Sequence, residues 1–457
     1  MVEEAAIREQ NPWWVSKERI LGDAKIKEPL SRKNKLLYDF EKKSNILFFG
    51  PRQTGKTTYM KLLIYDLLFN KQTEPKKIFF FSCETLRDFK EIIELLRTVD
   101  MLIEGEKYVF LDEIGFVENW ERAIKYVLDS PLGEGKIFYI TGSSSIELKK
   151  ENFPGRPIQI KKFLPLTFHD FVNVFGSGEL KENMEVIEFV NRAEIFEKSK
   201  KMFFYKDELD KLFYKYLQCG GFPRAFYELM EEGKIKEETY EIYWKWLIHD
   251  IAKINRSEKI TSGVLIGVLK NYSTKFSLSS IAKEVEIGSH VTVREYLEIL
   301  EELFVTRNFY TYDPGKKHIV YRKMRKAYFT DPFLFHVMQR KLFGRKTIDD
   351  YSKIVEGIVA ESLSRAIKDK LKIGFYHSKK EIDVCFNNFG FEVKWQEKVS
   401  PGDFPKIEIE NRIILSKNEF KFDSSKNVLI VPVCLFLAMC NPSENLREET
   451  GIEKIDI

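Results

Sequence analysis

The sequence predicts an α/β protein made of a parallel-sheet domain, a helical segment, a three-helix module with a β-hairpin, and a second, smaller α/β domain. Three observations carry this. From Asn45 to Lys162, five short runs (NILFFG, KIFFFS, KYVFLDE, KIFYIT and PIQIKKF) alternate with helix-length amphipathic stretches. Their nearly continuous apolar character is that of parallel strands covered by helices on both faces. From about Thr261 to Phe333, three helix-length segments precede NFYTYDPGKKHIVYRKMRKAYF, where Asp313-Pro314-Gly315 between aromatic-rich runs marks a hairpin. From about Ser352, the helical YSKIVEGIVAESLSRAIKDKL leads into strand-like KIGFYHS, EIDVCFNN, FGFEVKW and NVLIVPVCLF.

A chain of 457 residues is long enough for about three domains at roughly 150 residues each. The boundaries expected are 1–165 for the first sheet, 166–258 for the helical segment, 259–333 for the three-helix module and 350–440 for the last domain. The helical segment reads as long charged amphipathic helices broken at CGGFPRA (219–225), a lid or adaptor. No internal repeat or low-complexity stretch is found. Hydrophobic residues at 44% and aromatics at 14% exclude a disordered chain. The 74 Lys and Arg against 70 Asp and Glu leave +4, so any polyanion site must be a local cluster rather than a global field.

Cys83, Cys219, Cys385, Cys434 and Cys440 are scattered, with no CxxC pair or Cys/His ligand set, and read as reduced, mostly buried thiols. The start, MVEEAAIREQNPWW, lacks the basic and apolar regions of a secretory signal. The longest apolar run, Val428 to Cys440, has 13 residues and an internal Pro432, short of the roughly 20 that span a bilayer. A soluble cytoplasmic protein without a membrane partner is expected.

Gly50-Pro51-Arg52-Gln53-Thr54-Gly55-Lys56-Thr57 is GxxxxGK[ST], set between the apolar strand NILFF and the helical TTYMKLLIYDLL. In such a loop the backbone N–H groups curl around phosphates, Lys56 reaches the terminal ones, and the Thr57 hydroxyl ligates Mg²⁺. Thr58 follows in the same helical turn. Hydrolysis needs acids on a neighbouring strand. YVFLDE places Asp112 at a strand end, to hold Mg²⁺ through water, with Glu113 set to polarise the attacking water. Thr141-Gly142-Ser143-Ser144 ends the next strand, where Thr141 or Ser143 either senses the γ-phosphate or forms a plain polar turn.

GPRQTGKTT, FLDEI, ITGSSS, Gly155-Arg156, FLPLTFHDF and GGFP together resemble the prokaryotic AAA-type P-loop ATPases near the STAND branch that carry a C-terminal nuclease-like domain. The likeness covers most of the chain. It implies Arg156 as a cis- or trans-acting arginine finger, Pro223 against the base and Arg224 as a second sensor. For each arginine the alternative is a helix cap or a surface charge. NPWW and Asp23 also resemble the archaeal members.

Ser277–Val285 and Ser289–Phe304 read as two helices separated by Glu286-Ile287-Gly288. In the second, Val293, Leu297, Leu300 and Phe304 form one apolar face. That leaves Ser289, His290, Thr292 and Arg294 where a recognition helix meets the major groove. The hairpin carries Lys316, Lys317, Arg322, Lys323, Arg325 and Lys326 without an intervening acid, a phosphate-contacting wing. Glu295, Glu298, Glu301 and Glu302 on the same helix argue against contact, and winged helices also dock proteins.

Asp383 in EIDVCF and Glu392-Val393-Lys394 in FGFEVKW lie on two strands joined at Asn387-Asn388, with Glu392 and Lys394 on one face. Two carboxylates suit a divalent metal, and a lysine beside them can orient water or steady phosphate charge. This order, after a helix bearing Glu356, resembles the PD-(D/E)xK nucleases, archaeal Holliday-junction resolvases in particular, over about Tyr351 to Pro432. The resemblance implies Glu356 as the helix glutamate, with Glu361 in reserve, Asp383 and Glu392 as metal-binding acids and Lys394 as the catalytic lysine. Ile382 stands where the family has proline.

The expectation is therefore a restriction-endonuclease-like α/β domain behind a P-loop ATPase sheet, a helical lid and a winged helix-turn-helix. ATP and Mg²⁺ would serve the loop, and Mg²⁺ or Mn²⁺ the nuclease site. DNA is the expected partner, and a homo-oligomer is compatible. The alternative is a nucleotide-controlled switch whose C-terminal domain only binds.

Overall fold

The computed structural model describes residues 4–36, 44–143, 153, 155–345, 350–367, 373–378 and 380–442. The chain divides into two compact units, one ending at Leu164 and the next beginning at Pro165.

The first unit holds a five-stranded sheet of β1 (Asn45–Phe49), β2 (Ile78–Ser82), β3 (Lys107–Asp112), β4 (Lys136–Gly142) and β5 (Ile158–Lys162), in the order β2-β3-β4-β1-β5. Every neighbouring pair is parallel. Its five strands fall in the five predicted runs; β1 to β4 are largely buried and nearly continuously apolar, as strands covered by helices require, whereas the edge strand β5, IQIKK, has no buried position. Helices α1 (Glu4–Gln10), α2 (Ala24–Ser31), α3 (Lys56–Phe69), α4 (Phe89–Leu102) and α5 (Trp120–Leu128) complete the unit. Phe48, Tyr59, Leu63, Phe110 and Tyr139 pack in the core between α3 and the sheet. With β4 inserted between β1 and β3, Thr141 pairs with Phe48 while Ile140 pairs with Leu111. Thr141 thus stands between the loop that follows β1 and the acids that end β3.

The N-terminal NPWW has a physical role. β2 is an edge strand, and an unpaired edge invites association. Asn11 donates to the Phe80 carbonyl at 2.8 Å and accepts the Phe80 N–H at 2.7 Å, imitating a neighbouring strand. Trp13 and Trp14 each donate an indole N–H to the Ile78 carbonyl, at 2.9 and 2.8 Å, and Gln10 accepts the Ser82 N–H at 2.7 Å. Asp23 caps α2 through the Lys25 N–H and lies 3.4 Å from the Lys61 ammonium.

The second unit begins with α6 (Phe168–Phe175), α7 (Gly178–Glu182), α8 (Arg192–Met202), α9 (Lys206–Cys219), α10 (Pro223–Glu232) and α11 (Glu237–Lys253). Then come α12 (Glu258–Lys270), α13 (Leu278–Glu284) and α14 (His290–Glu302), followed by the hairpin β6 (Thr306–Asp313) and β7 (His318–Phe329). After α15 (Pro332–Phe343) and α16 (Ser352–Ala366) run β8 (Ile373–His377), β9 (Glu381–Phe386), β10 (Phe389–Lys394), β11 (Asn411–Ser416), β12 (Lys421–Asp423), β13 (Val428–Pro432) and α17 (Val433–Met439).

The hairpin departs from the sequence reading. Rather than standing out as a wing, it joins one eight-stranded sheet in the order β12-β13-β11-β10-β9-β8-β6-β7. β6 pairs with β8 in parallel, so a boundary at 333 would cut through a sheet. Two further differences come from short apolar runs, which do not distinguish buried strand from buried helix. NRIILS, which shows no alternating pattern, is β11 in the interior of the sheet, and VCLF, expected as the end of a strand, opens the fully buried α17. All five cysteines are free and buried. Among the described residues no helix is long and apolar enough to cross a membrane.

Candidate functional site

The loop from Gly50 to Gly55 joins β1 to the N-terminus of α3. Gly55 has φ 96°, a left-handed conformation that turns the chain into the helix with little cost only for glycine. At Gly50 a Cβ would lie 2.0 Å from the Phe163 carbonyl oxygen, so only glycine lets the backbone after β5 pass so close. Lys56 folds back to donate to the carbonyls of Gly50 and Pro51, both at 2.9 Å. Phosphate oxygens can replace these acceptors. Thr54 braces the loop by donating to the Pro51 carbonyl at 2.9 Å, and the Arg52 guanidinium lies over the Phe116 ring. Gln53, at the exposed tip, has φ 65°. Thr57 and the half-buried Thr58 sit in the first turn of α3, where backbone N–H groups and the helix dipole favour an anion.

The acids at the end of β3 meet this turn. Thr57 donates to Asp112 Oδ2 at 2.8 Å, and Thr141 donates to Asp112 Oδ1 at 2.5 Å. Burial raises the Asp112 carboxyl above its ordinary range, the Thr141 bond opposes this, and the Glu113 charge adds to it. Glu113 has a left-handed backbone, φ 51° and ψ 47°, costly outside glycine and found where structure over-determines a site. Its N–H donates to the Thr141 hydroxyl at 2.9 Å, and its buried Oε2 has no hydrogen-bond partner among the described residues. A hydroxyl and a carboxylate 2.8 Å apart are hard oxygen donors of the kind Mg²⁺ takes, so the residues present fit that ion. The Thr141 hydroxyl is committed to Asp112 and Glu113, which makes it a brace of the acids rather than the phosphate sensor considered from sequence. Ser143 is buried at the end of β4, and Ser144 lies outside the described residues.

Arg156 is bound to Asp129 beyond the end of α5, through Nε at 3.0 Å and a terminal nitrogen at 2.6 Å. That pairing occupies the guanidinium proposed as a finger. In the second unit Pro223 opens α10, and Arg224 donates to Thr239 at 3.2 Å and to Glu228 at 3.4 Å. The neighbouring Gly221 donates its N–H to Asp331 at 2.7 Å and accepts from Leu166 at 2.9 Å, so FLPLTF and GGFP are bonded to each other.

The C-terminal acids converge. One position beyond the last β9–β10 pair, Val384 with Phe391, Asp383 faces Glu392. Asp383 Oδ2 accepts the Val393 N–H at 2.9 Å, and Lys394 lies 2.7 Å from Glu392 Oε1. Glu356, on α16, contributes from the helix layer. What the sequence did not anticipate is Lys326 of β7, whose side chain is 0% exposed. Its ammonium lies 2.8 Å from Glu356, 2.8 Å from Glu381 and 3.1 Å from Asp383. Tyr328, two residues on and on the same strand face, donates to Glu356 at 2.6 Å. Glu381 also pairs with Lys275 at 2.8 Å. Glu381 was missed, although Glu-x-Asp on one strand places both acids on one face, which is the signal that could have found it.

Burial raises Glu356 to about 7, with the Asp383 charge adding and Lys326 opposing. Burial and Asp383 raise Glu392 to about 8 against the bond from Lys394. Burial disfavours the Lys326 ammonium, but the tyrosine and three acids around it hold it well above its ordinary value. Among the described residues no three His, Cys, Asp or Glu side chains are gathered as a metal-ligand set. As arranged, these residues do not fit a divalent metal, because an ammonium already stands among the acids.

Three sequence assignments are thereby corrected. Lys326 and Arg325 are 0% and 6% exposed and cannot face DNA phosphates, because the hairpin is part of a sheet. Arg325 lies over the Tyr310 ring, and its backbone bonds Phe276. Glu361 is no substitute for Glu356. It is buried against Arg307 and Arg365, which outweigh burial and hold it down to about 2. Lys316 and Lys317 at the hairpin tip, with His290 and Arg294 on α14, are exposed. The side chains of Arg322 and Lys323 lie outside the described residues.

Residues 42–172 match a family described as an AAA domain, and residues 210–346 match a domain of unknown function (DUF8612). An uncharacterized protein of Methanocaldococcus jannaschii is 27% identical over 358 residues, 75% of this chain and 72% of its own length. One of Haemophilus influenzae is 23% identical over 370 residues, 75% of this chain and 82% of its own. Among solved structures, the Thermotoga maritima RuvB Holliday junction branch migration motor is 15% identical over 67% of this chain and 89% of its own, with a TM-score of 0.24. Cdc6p from Pyrobaculum aerophilum is 13% identical over 75% and 98%, with a TM-score of 0.22.

Proposed function

We propose that this chain is an ATPase that acts on DNA. The observation that carries the first half is the hydrogen-bonded chain of Thr57, Asp112, Thr141 and Glu113 beside the Gly50–Thr57 loop, supported by the AAA-domain match. Loop amides and Lys56 hold the phosphates, and Thr57 with Asp112 holds Mg²⁺, which supplies charge neutralisation at the phosphates. Glu113, with one carboxylate oxygen uncommitted, orients water. Arg156 would act as a finger only after leaving Asp129. Lys56→Ala should abolish ATP binding, whereas Glu113→Gln should bind ATP and not turn it over. Normal turnover by Glu113→Gln would remove Glu113 from this role.

The DNA half rests on α13 and α14, a helix pair whose second member starts at a Ser289 cap and exposes His290 and Arg294, and on the exposed Lys316 and Lys317. A homo-oligomer is compatible with this reading. For the C-terminal sheet, the Lys326 ammonium among the acids favours a nucleotide-controlled switch that uses the domain as a platform. The convergence of Glu356, Asp383, Glu392 and Lys394 supports the nuclease reading. Incubating the protein with and without ATP on single strands, duplexes, flaps and four-way junctions separates them. Cleavage lost in Asp383→Asn supports the nuclease, and binding without cleavage supports the switch.

A further inference from the structure

We infer that Lys326 is the resident cation of the C-terminal acid cluster, and that its ammonium occupies the seat a divalent metal would take among Glu356, Glu381 and Asp383. Three observations lead there. The side chain has no exposure and meets three carboxylates within 3.1 Å. Burying an ammonium is tolerable only when it is paired and hydrogen-bonded, and here the acids supply that pairing. The strand holds the lysine in place from both sides. Beside it, Arg325 exchanges both backbone hydrogen bonds with Phe276, at 2.8 and 3.0 Å, and Tyr328 shares the same Glu356 oxygen. The remaining coordination is also spoken for: Asp383 Oδ2 takes the Val393 N–H, and Glu392 Oε1 takes Lys394.

One atom points to what the lysine displaces. Glu392 Oε2 is buried and has no hydrogen-bond partner among the described residues, the state of an oxygen whose natural partner is a cation. Removing the ammonium while leaving the acids would strand buried negative charge around that oxygen. Protons or a hard divalent cation can neutralise it. The wild-type cluster is thus closed to metal, and a single substitution on β7 opens it. This inference is independent of the ATPase reading, since it concerns neither nucleotide nor turnover.

The test is Mn²⁺ binding by electron paramagnetic resonance to the nucleotide-free full chain, comparing wild type, Lys326→Met and Lys326→Met/Asp383→Asn. The expected result is one Mn²⁺ site gained by Lys326→Met and lost again in the double variant, with Mn²⁺ raising the melting temperature of Lys326→Met and leaving the wild type unchanged. An Asp383-dependent Mn²⁺ site in the wild type would overturn the inference, as would a folded Lys326→Met protein that binds no more Mn²⁺ than wild type. Should Lys326→Met fail to fold, Lys326→Gln, which removes the charge but keeps a hydrogen-bond donor beside the three acids, carries the same comparison. Loss of ATPase activity in any of these proteins bears on the reading above and not on this one.

Discussion

The Thr141 hydroxyl donates to Asp112 Oδ1 at 2.5 Å while accepting the backbone N–H of Glu113 at 2.9 Å, so one side chain on β4 fixes both acids at the end of β3. Groups that orient a metal-binding carboxylate typically contribute 10- to 100-fold to activity. Thr141→Val keeps the side-chain shape and removes the hydroxyl. Its ATPase kcat should fall about 10- to 100-fold with little change in KM. Because the Thr141 bond holds the Asp112 carboxyl down against burial, the acid limb of the pH profile should move to higher pH. Thr141→Ser should restore both. Steady-state kinetics across pH decides this, and an unmoved profile with full kcat would make Thr141 a packing residue.

Glu361 gives a pH prediction of definite sign. Burial opposes its charge, but Arg307 and Arg365 lower it from an ordinary 4.5 to about 2. A carboxylate depressed in the folded state contributes stability that is fully present above about 4.5 and is lost as pH falls through about 2. Glu361→Gln should therefore lose on the order of 3 kcal/mol at neutral pH, the scale for breaking a buried pair. Its stability should also fall less steeply than that of wild type between those two pH values. Urea unfolding across that range tests it; parallel pH curves for the two proteins would refute the assignment.

At the hairpin tip, Lys316→Gln/Lys317→Gln should weaken duplex binding and lower the slope of log K against log salt by about 1.8, two phosphate contacts at about 0.9 each. The slope comes from fluorescence anisotropy at several salt concentrations. An unchanged slope would assign the tip to solvent or to a protein partner.

The clamp on β2 is testable through stability. Asn11→Ala removes the acceptor and the donor that satisfy both backbone groups of Phe80. Leaving a buried backbone group unsatisfied costs about 1–3 kcal/mol, so the urea midpoint should fall accordingly. A wild-type midpoint would mean that water or another segment replaces the amide.

Local sequence determined four strands of the first sheet, because parallel strands buried on both faces must be nearly continuously apolar, and its loop needs glycine where backbones pass closely, as at Gly50, or where φ is left-handed, as at Gly55. It also placed the acids at the end of YVFLDE, and Glu392 with Lys394 on one face, since a strand's two-residue period fixes which side chains share a face; that Glu356 and Asp383 belong with them came from the resemblance. Tertiary structure decided what those residues face. Lys326 and Arg325 lie in a run that reads as a solvated basic wing, and only the pairing of β6 with β8 turns that strand inward, placing an ammonium among acids 30 to 57 residues away in sequence. The roles of Thr141 and Asn11 were hidden for the same reason. A hydroxyl bracing two acids on another strand, or an amide imitating a missing strand, is a relation between distant segments and leaves no periodic trace in either.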